Sequence, residues 1–245
     1  MNLHRQLIVT AIISLASAQA AMALPSATHN YELNGSFADS LGGPSLTQVG
    51  GGTLGATGFT FPANQGLSLV GAVDTSAPYS VELVFTFDQV SGYRRILDFK
   101  DRTSDSGLYS LNGNLNFYPV VNAATTTVAA GTVVNVLLTR SAAGDVNGYV
   151  NTAPSFAFND TGNLGKTLTN QLLFFVDDLV VPNEASSGFV DRIRTFNQVL
   201  SQQDAIDLAS GTAPPVTPPS TRVPEPTTLA LLGTGLLGLG LRRRR

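Results

Sequence analysis

Alternation with a period of two is strictest over residues 79–87. Tyr79, Val81, Leu83, Phe85 and Phe87 fall on one face, while Ser80, Glu82 and Thr86 fall on the other. That is the pattern of a strand with one buried side. Shorter apolar runs at 31–33, 59–61 and 67–70, set among Gly, Ser, Thr and Asn, predict brief strands. Residues 95–100 predict a neighbour for the long strand. Residues 107–111 and 114–118 flank Asn112-Gly113, the strongest short hairpin signal. A second hairpin is predicted for 132–140 and 146–150, turning at 141–144. The continuous apolar run 171–176 predicts a strand buried on both faces. Residues 188–196 predict another strand with a flaw in its alternation, since Asp191 shares a face with Phe189 and Ile193.

Only one stretch reads as a helix. Ser201 is placed to cap it, Asp204 stands at its third position as in a capping box, and Gly211 terminates it. Many short strands, frequent turn residues and one short C-terminal helix predict an all-β fold. The expected architecture is an antiparallel β-sandwich or jelly roll spanning residues 24–211. At 188 residues this stretch can bury a substantial core as one domain. No internal repeat is present.

The two ends differ from this pattern. His4 and Arg5 precede an apolar run at 7–15, and small residues follow. Residues 1–23 are therefore expected to be a secretory signal peptide, cut after Ala21-Met22-Ala23 or after Ala18-Gln19-Ala20. Residues 212–222 begin a Pro/Thr-rich linker, and 212–224 holds five prolines. Fully extended, it would reach on the order of 40 Å. Residues 227–241 carry no charge and are mostly Leu and Gly. They predict a single C-terminal transmembrane helix, about 22 Å long against a hydrocarbon core of about 30 Å. Arg242, Arg243, Arg244 and Arg245 would flank it on the cytoplasmic side, leaving the domain outside.

The order of parts in this tail resembles a known signal. Pro224-Glu225-Pro226, an uncharged Gly/Leu span and a terminal arginine cluster are similar to the PEP-CTERM sorting signal of Gram-negative bacteria. The resemblance implies Sec-dependent export and a transient inner-membrane anchor. It further implies processing by an exosortase-type enzyme and delivery to the cell surface or the extracellular polysaccharide of a biofilm matrix. Gly233-Thr-Gly235-Leu-Leu-Gly238 satisfies a dinucleotide-binding pattern, but no βαβ unit surrounds it and the reading is rejected.

A second resemblance covers the domain. Residues 188–208, from Gly188-Phe-Val-Asp-Arg-Ile-Arg to Asp207-Leu208, resemble the closing strand and short helix of laminin-G-like domains. These belong to the concanavalin A-like lectin/glucanase fold. Tyr31-Glu-Leu-Asn-Gly with Asp39-Ser40 is similar to the family's first strand. Arg95-Ile-Leu-Asp-Phe and Gly148-Tyr-Val-Asn fall where its middle strands would. The resemblance implies a binding module for glycan or protein ligands.

Charge and composition narrow the chemistry. Residues 24–223 hold nine basic against sixteen acidic side chains, a net −7. That makes nucleic acid and anionic lipid a poor match, and a neutral polysaccharide, a divalent cation or another protein a better one. There is no cysteine, and His29 is the one histidine after residue 23, so thiol and Ser-His-Asp catalysis are not expected. Glu32, Glu82 and Glu184 are far apart in the domain, with no closely spaced pair of the kind glucanases use. The domain is therefore expected to be non-enzymatic.

Two groups are candidates for binding. Asp177-Asp178, with Glu184 six residues on, can ligate calcium from a loop after a buried strand. Laminin-G-like domains frequently bind calcium at a sandwich rim, which supports that reading. The same acids alternatively form a solvated loop or pair with Arg192 or Arg194. Tyr93 with Arg94 and Arg95 stands at a strand edge, either as a sugar-binding aromatic with cationic neighbours or as an ordinary strand entry. Asp98, Asp101 and Asp105, interleaved with Lys100 and Arg102, are expected to make local ion pairs.

Overall fold

The structure, a computed structural model, describes residues 26–210. The chain divides into two compact units, Met1–Thr212 and Ala213–Arg245, and the fold below is that of the first. Its strands are β1 (His29–Tyr31), β2 (Thr47–Val49), β3 (Thr53–Leu54), β4 (Phe59–Phe61) and β5 (Gly66–Val70). There follow β6 (Tyr79–Phe87), β7 (Tyr93–Asp98), β8 (Gly107–Leu111), β9 (Asn114–Tyr118) and β10 (Val121–Thr127). Next come β11 (Val134–Arg140), β12 (Asp145–Val150), β13 (Ala153–Asn159), β14 (Gln171–Phe174) and β15 (Gly188–Phe196). The helix α1 (Gln202–Ala209) comes last.

These strands form two antiparallel sheets. One runs β13-β12-β11-β6-β15-β4-β3, with β1 also on β15, and the other runs β10-β9-β8-β7-β14-β5-β2. The apolar faces of both meet in one core, which includes Phe59, Phe61, Leu83 and Phe85 from the first sheet and Leu69, Ile96, Leu108 and Phe117 from the second. Phe175 lies at its centre. Its ring stacks on Phe61 at 4.4 Å, with Phe85 at 5.2 Å and Phe87 at 5.9 Å.

The imperfect alternation of 188–196 has a local cause. Val190 pairs with Phe85 while Arg192 pairs with Val84, so Asp191 is an extra residue in a β-bulge. The bulge reverses the parity of the strand, letting both Val190 and Ile193 enter the core. The start of the domain also shifts. The first strand ends at Tyr31, and Leu33 takes a left-handed backbone, φ 53°. The register His29↔Thr195, Asn30↔Arg194, Tyr31↔Ile193 zips this strand to the last one.

The outer face of the first sheet is covered as well. Leu200, Ala205 and Leu208 pack on Leu137 and Phe196, Ser80 is buried against the Leu200 amide and Gln198 carbonyl, and Glu82 is buried beneath Arg194, Arg192 and Asn135. The predicted cap of α1 is present: the Asp204 amide donates to Ser201 Oγ at 3.2 Å, and the Ser201 amide donates to Asp204 Oδ2 at 2.7 Å. Ser201→Ala is expected to cost about 1 kcal/mol, read as a fall of about 2–4 °C in melting temperature. Gly211, the linker, the signal peptide and the C-terminal span lie outside the described residues. Among the described residues no helix is long and apolar enough to cross a membrane.

Candidate functional site

Alternation along β7 turns Tyr93 and Arg95 away from the core. Across the sheet Arg95 pairs with Tyr109, Tyr109 with Asn116, and Gly107 with Tyr118, so all share the outer face of the second sheet. The three tyrosines meet edge to face: Tyr93–Tyr109 at 5.5 Å, Tyr93–Tyr118 at 5.6 Å and Tyr109–Tyr118 at 6.4 Å. The Arg95 guanidinium lies over the Tyr109 ring, 4.1 Å from its centroid, in cation–π geometry. Gly107, φ +155°, leaves room for it, since a Cβ there would stand 2.5 Å from Arg95 Nη1.

The chain beyond β14 closes over this face. It leaves the ladder at Phe175, φ +65°, and returns at Glu184, whose carbonyl accepts the Arg95 amide at 2.7 Å. Two carboxylates shape the excursion. Asp177 accepts the amides of Asp178 at 3.1 Å and Glu184 at 2.7 Å. Asp178 Oδ1 accepts the amides of Val180 at 2.6 Å and Val181 at 2.7 Å. Asp178 Oδ2 receives the Arg95 guanidinium and, at 3.2 Å, the Tyr109 hydroxyl.

The two candidate groups are therefore one site. Arg95 is fully buried, bonded to Asp178, to Asp98 at 3.3 Å and to the Ser106 carbonyl at 2.8 Å. It is the internal cation of the site, where an exposed ligand contact was expected. Arg94 donates to the Asn183 carbonyl at 3.2 Å and its own neighbour's carbonyl, and Tyr93 is half-buried. Asp177 spends both oxygens on loop amides. Asp105 takes its place: one carboxylate oxygen each from Asp105, Asp178 and Glu184 lie within 4.8 Å of one another. The pairing of Asp177 or Asp178 with Arg192 or Arg194 does not occur, because both arginines face Glu82.

Sequence reasoning placed Asp105 in a local ion-pair set. That set dissolves: Asp98 takes Arg95 and the backbone amides of Lys100 and Arg102, and Asp105 accepts the Tyr109 hydroxyl at 2.9 Å. The spacing of Asp105 four residues before Tyr109 was the available signal. Four carboxylates, those of Asp98, Asp177, Asp178 and Glu184, feel the charge of one buried guanidinium. Burial, then the charges of Asp105, Asp177 and Asp178, push Glu184 up to about 7, against the pull of Arg95. Burial also raises Asp178, but the amides of Val181 and Val180 and the Arg95 charge outweigh it and hold the group below its ordinary range.

Residues 222–245, which follow the described part, match the PEP-CTERM protein-sorting motif. The chain carries a PEP-CTERM sorting signal. It contains the predicted Pro224, Glu225 and Pro226 and the four terminal arginines, and it implies an exported surface protein. No curated protein matches this chain in sequence. Solved structures match its fold. Domain 4 of AbnA, a GH43 extracellular arabinanase from Geobacillus stearothermophilus solved with arabinotriose, is 19% identical, with TM-score 0.59, covering 76% of this chain and 99% of that one. The binding domain of botulinum neurotoxin DC, solved with rat synaptotagmin II, is 12% identical, with TM-score 0.60 and coverages of 76% and 52%. Trypanosoma rangeli sialidase is 16% identical, with TM-score 0.61 and coverages of 82% and 35%. The chain thus spans about half of the toxin chain and a third of the sialidase. At these identities the shared property is the β-sandwich fold, consistent with a concanavalin A-like domain.

Proposed function

We propose that this PEP-CTERM protein is an exported, non-enzymatic binding module of the cell surface or extracellular polysaccharide. An exosortase-type system releases it from a transient inner-membrane anchor, and its sandwich engages glycan or protein at the tyrosine face. The observation that carries this reading is the cluster of Asp105, Asp178 and Glu184 beside the half-buried Tyr93 and Tyr118. Asp105 and Glu184, with Asp178 whose Oδ2 already meets Arg95 and Tyr109, bring carboxylates from three segments toward a hard divalent cation, and calcium there would offer open coordination positions to sugar hydroxyls. The arabinanase domain and the toxin domain, solved with a sugar and a protein respectively, support a ligand-binding use of the fold.

Millimolar calcium is expected to raise the melting temperature of the purified protein by about 2–8 °C at pH 8, by linkage. Asp105→Asn with Glu184→Gln should abolish the rise, and absence of any rise would remove calcium from the reading. The effect should shrink at pH 5, where protons compete for Glu184. Without calcium, the raised Glu184 carboxyl has its own signature. Between its ordinary 4.5 and about 7 the folded chain holds a proton that the unfolded chain has released, so stability falls as pH rises through that window. Glu184→Gln should therefore stabilise the protein at pH 8 and leave it unchanged near pH 4. Because the group is only partly buried, screening limits the gain to on the order of 1 kcal/mol.

One observation favours a second reading, a glycan-active enzyme of the same fold. Glu184, protonated for part of the neutral range, stands within 4.8 Å of Asp178, whose carboxyl is held below its ordinary range, the pairing that glycoside cleavage employs. A polysaccharide panel separates the readings. Retention without cleavage, lost on Tyr93→Ala, supports the binding module, while hydrolysis lost on Glu184→Gln supports the enzyme. Blank results on both leave a structural matrix protein.

A further inference from the structure

The opposite sheet holds a second charge arrangement that the proposed function does not use. Glu82, 1% exposed, faces two arginines. Arg194 occupies its carboxylate bidentately, through Nε to Oε2 and through Nη2 to Oε1 at 2.9 Å, and Asn135 Nδ2 donates to Oε1 at 2.8 Å. Burial pushes this carboxyl up, but the bonds and charges of Arg194, the charge of Arg192 and Asn135 outweigh it and keep it ionised. One negative charge is thus already met by one fork. Arg192 is left over: its Nη2 stays 3.6 Å from Oε1, beyond a good hydrogen bond. Its Nε is buried with no partner.

Arg192 borders a cleft of about 280 Å³ beside the C-terminal turn of α1. Its other lining includes Asn135, Asn151, Thr152, Val84 and Val133. Asn151 Oδ1 is engaged by the Asn135 amide at 2.9 Å, so that side chain turns its donor end to other partners. Among the described residues no acidic side chain lines the cleft. Within a strongly acidic domain, this is a pocket where two guanidiniums share the single carboxylate of Glu82, Arg194 holding it closely and Arg192 only at 3.6 Å.

We propose that the cleft at Arg192 binds a uronate, the carboxylate-bearing sugar unit of an acidic polysaccharide. The planar guanidinium matches a carboxylate fork to fork. Asn135, Asn151 and Thr152 suit the ring hydroxyls, and Val84 and Val133 suit the C–H face of a pyranose. The Arg192 side chain keeps 23% of its surface exposed and has no close acceptor in Glu82, and the ligand carboxylate supplies one. The site is independent of the Asp105–Asp178–Glu184 cluster, and so of calcium.

The test is titration of the purified full chain with trigalacturonate in EDTA, followed by calorimetry at low and high salt. Binding is expected, weaker at high salt, with no response to a neutral galactose trisaccharide. Arg192→Gln should weaken it at least tenfold, with Glu82 still held by Arg194 and Asn135. Asn151→Asp, at an exposed turn position with φ 46° that Asp tolerates, provides a second variant that sets a carboxylate in the cleft and should weaken binding likewise. A sulfated galactan and acetate serve as further arms. Equal affinity for either would reduce the site to a general anion site and overturn the uronate assignment. No binding, calcium-dependent binding, or binding unchanged in both variants would overturn the proposal outright.

Discussion

Arg95→Ala is expected to destabilise the domain by about 3–5 kcal/mol, the usual cost of removing one partner from a buried ion pair. The side chain is fully buried and answers two carboxylates, Asp98 and Asp178, that are themselves without exposed surface. Its removal strands both, along with the Ser106 carbonyl, and takes the cation off the Tyr109 face. Lysine does not replace it, because an ammonium cannot reach Asp98, Asp178 and Ser106 from one planar fork. A thermal melt measures the loss, expected as a fall of about 6–20 °C in melting temperature. Adding Asp178→Asn to the variant should recover part of it, since one stranded charge disappears. A loss under 1 kcal/mol would show that water reaches these acids.

Phe175→Ala should cost about 3–5 kcal/mol by emptying the centre of the core. Alanine meets the same left-handed backbone, φ +65°, so the loss reports packing against Phe61, Phe85 and Phe87. Leu179, in the same excursion and 73% exposed, is the control. Its alanine variant should change stability by less than about 0.5 kcal/mol.

Where period-two alternation or turn chemistry was strong, the fold was legible. The nine residues of β6, the β8–β9 hairpin about Asn112-Gly113 and the capped helix lie where the pattern puts them. Strands β10 and β13 were not legible. The first is mostly small and polar residues, and the second carries Pro154 at a sheet edge, where a missing donor does no harm. The run 171–176 looked like one strand, yet pairing stops at Phe174 because Phe175 turns its ring into the core.

The site was legible as two parts and not as one. Tyr93 and Arg95 sharing a face, and acids after a buried strand, are local signals. Their union depends on Arg95 meeting Asp178 across 83 positions of chain, which no short-range pattern carries. For the same reason Arg192 gave no sign of its role. Its meaning depends on the bulge at Asp191 and on Arg194 having already taken Glu82.

The pairing of β1 with β15 has a mechanical consequence for a protein held at a surface. His29 lies opposite Thr195, and the Thr28 amide extends the ladder to the Thr195 carbonyl at 2.7 Å. The strand that opens the domain and the strand that closes it therefore end side by side, running in opposite directions. A pull that separates those two ends loads this ladder one rung at a time, as a zipper, and never as a set in shear. Such a pull thus meets its resistance in the packing of Leu200, Ala205 and Leu208 and in the Ser80 hydroxyl that bonds both the Leu200 amide and the Gln198 carbonyl. Once those yield, the first strand peels.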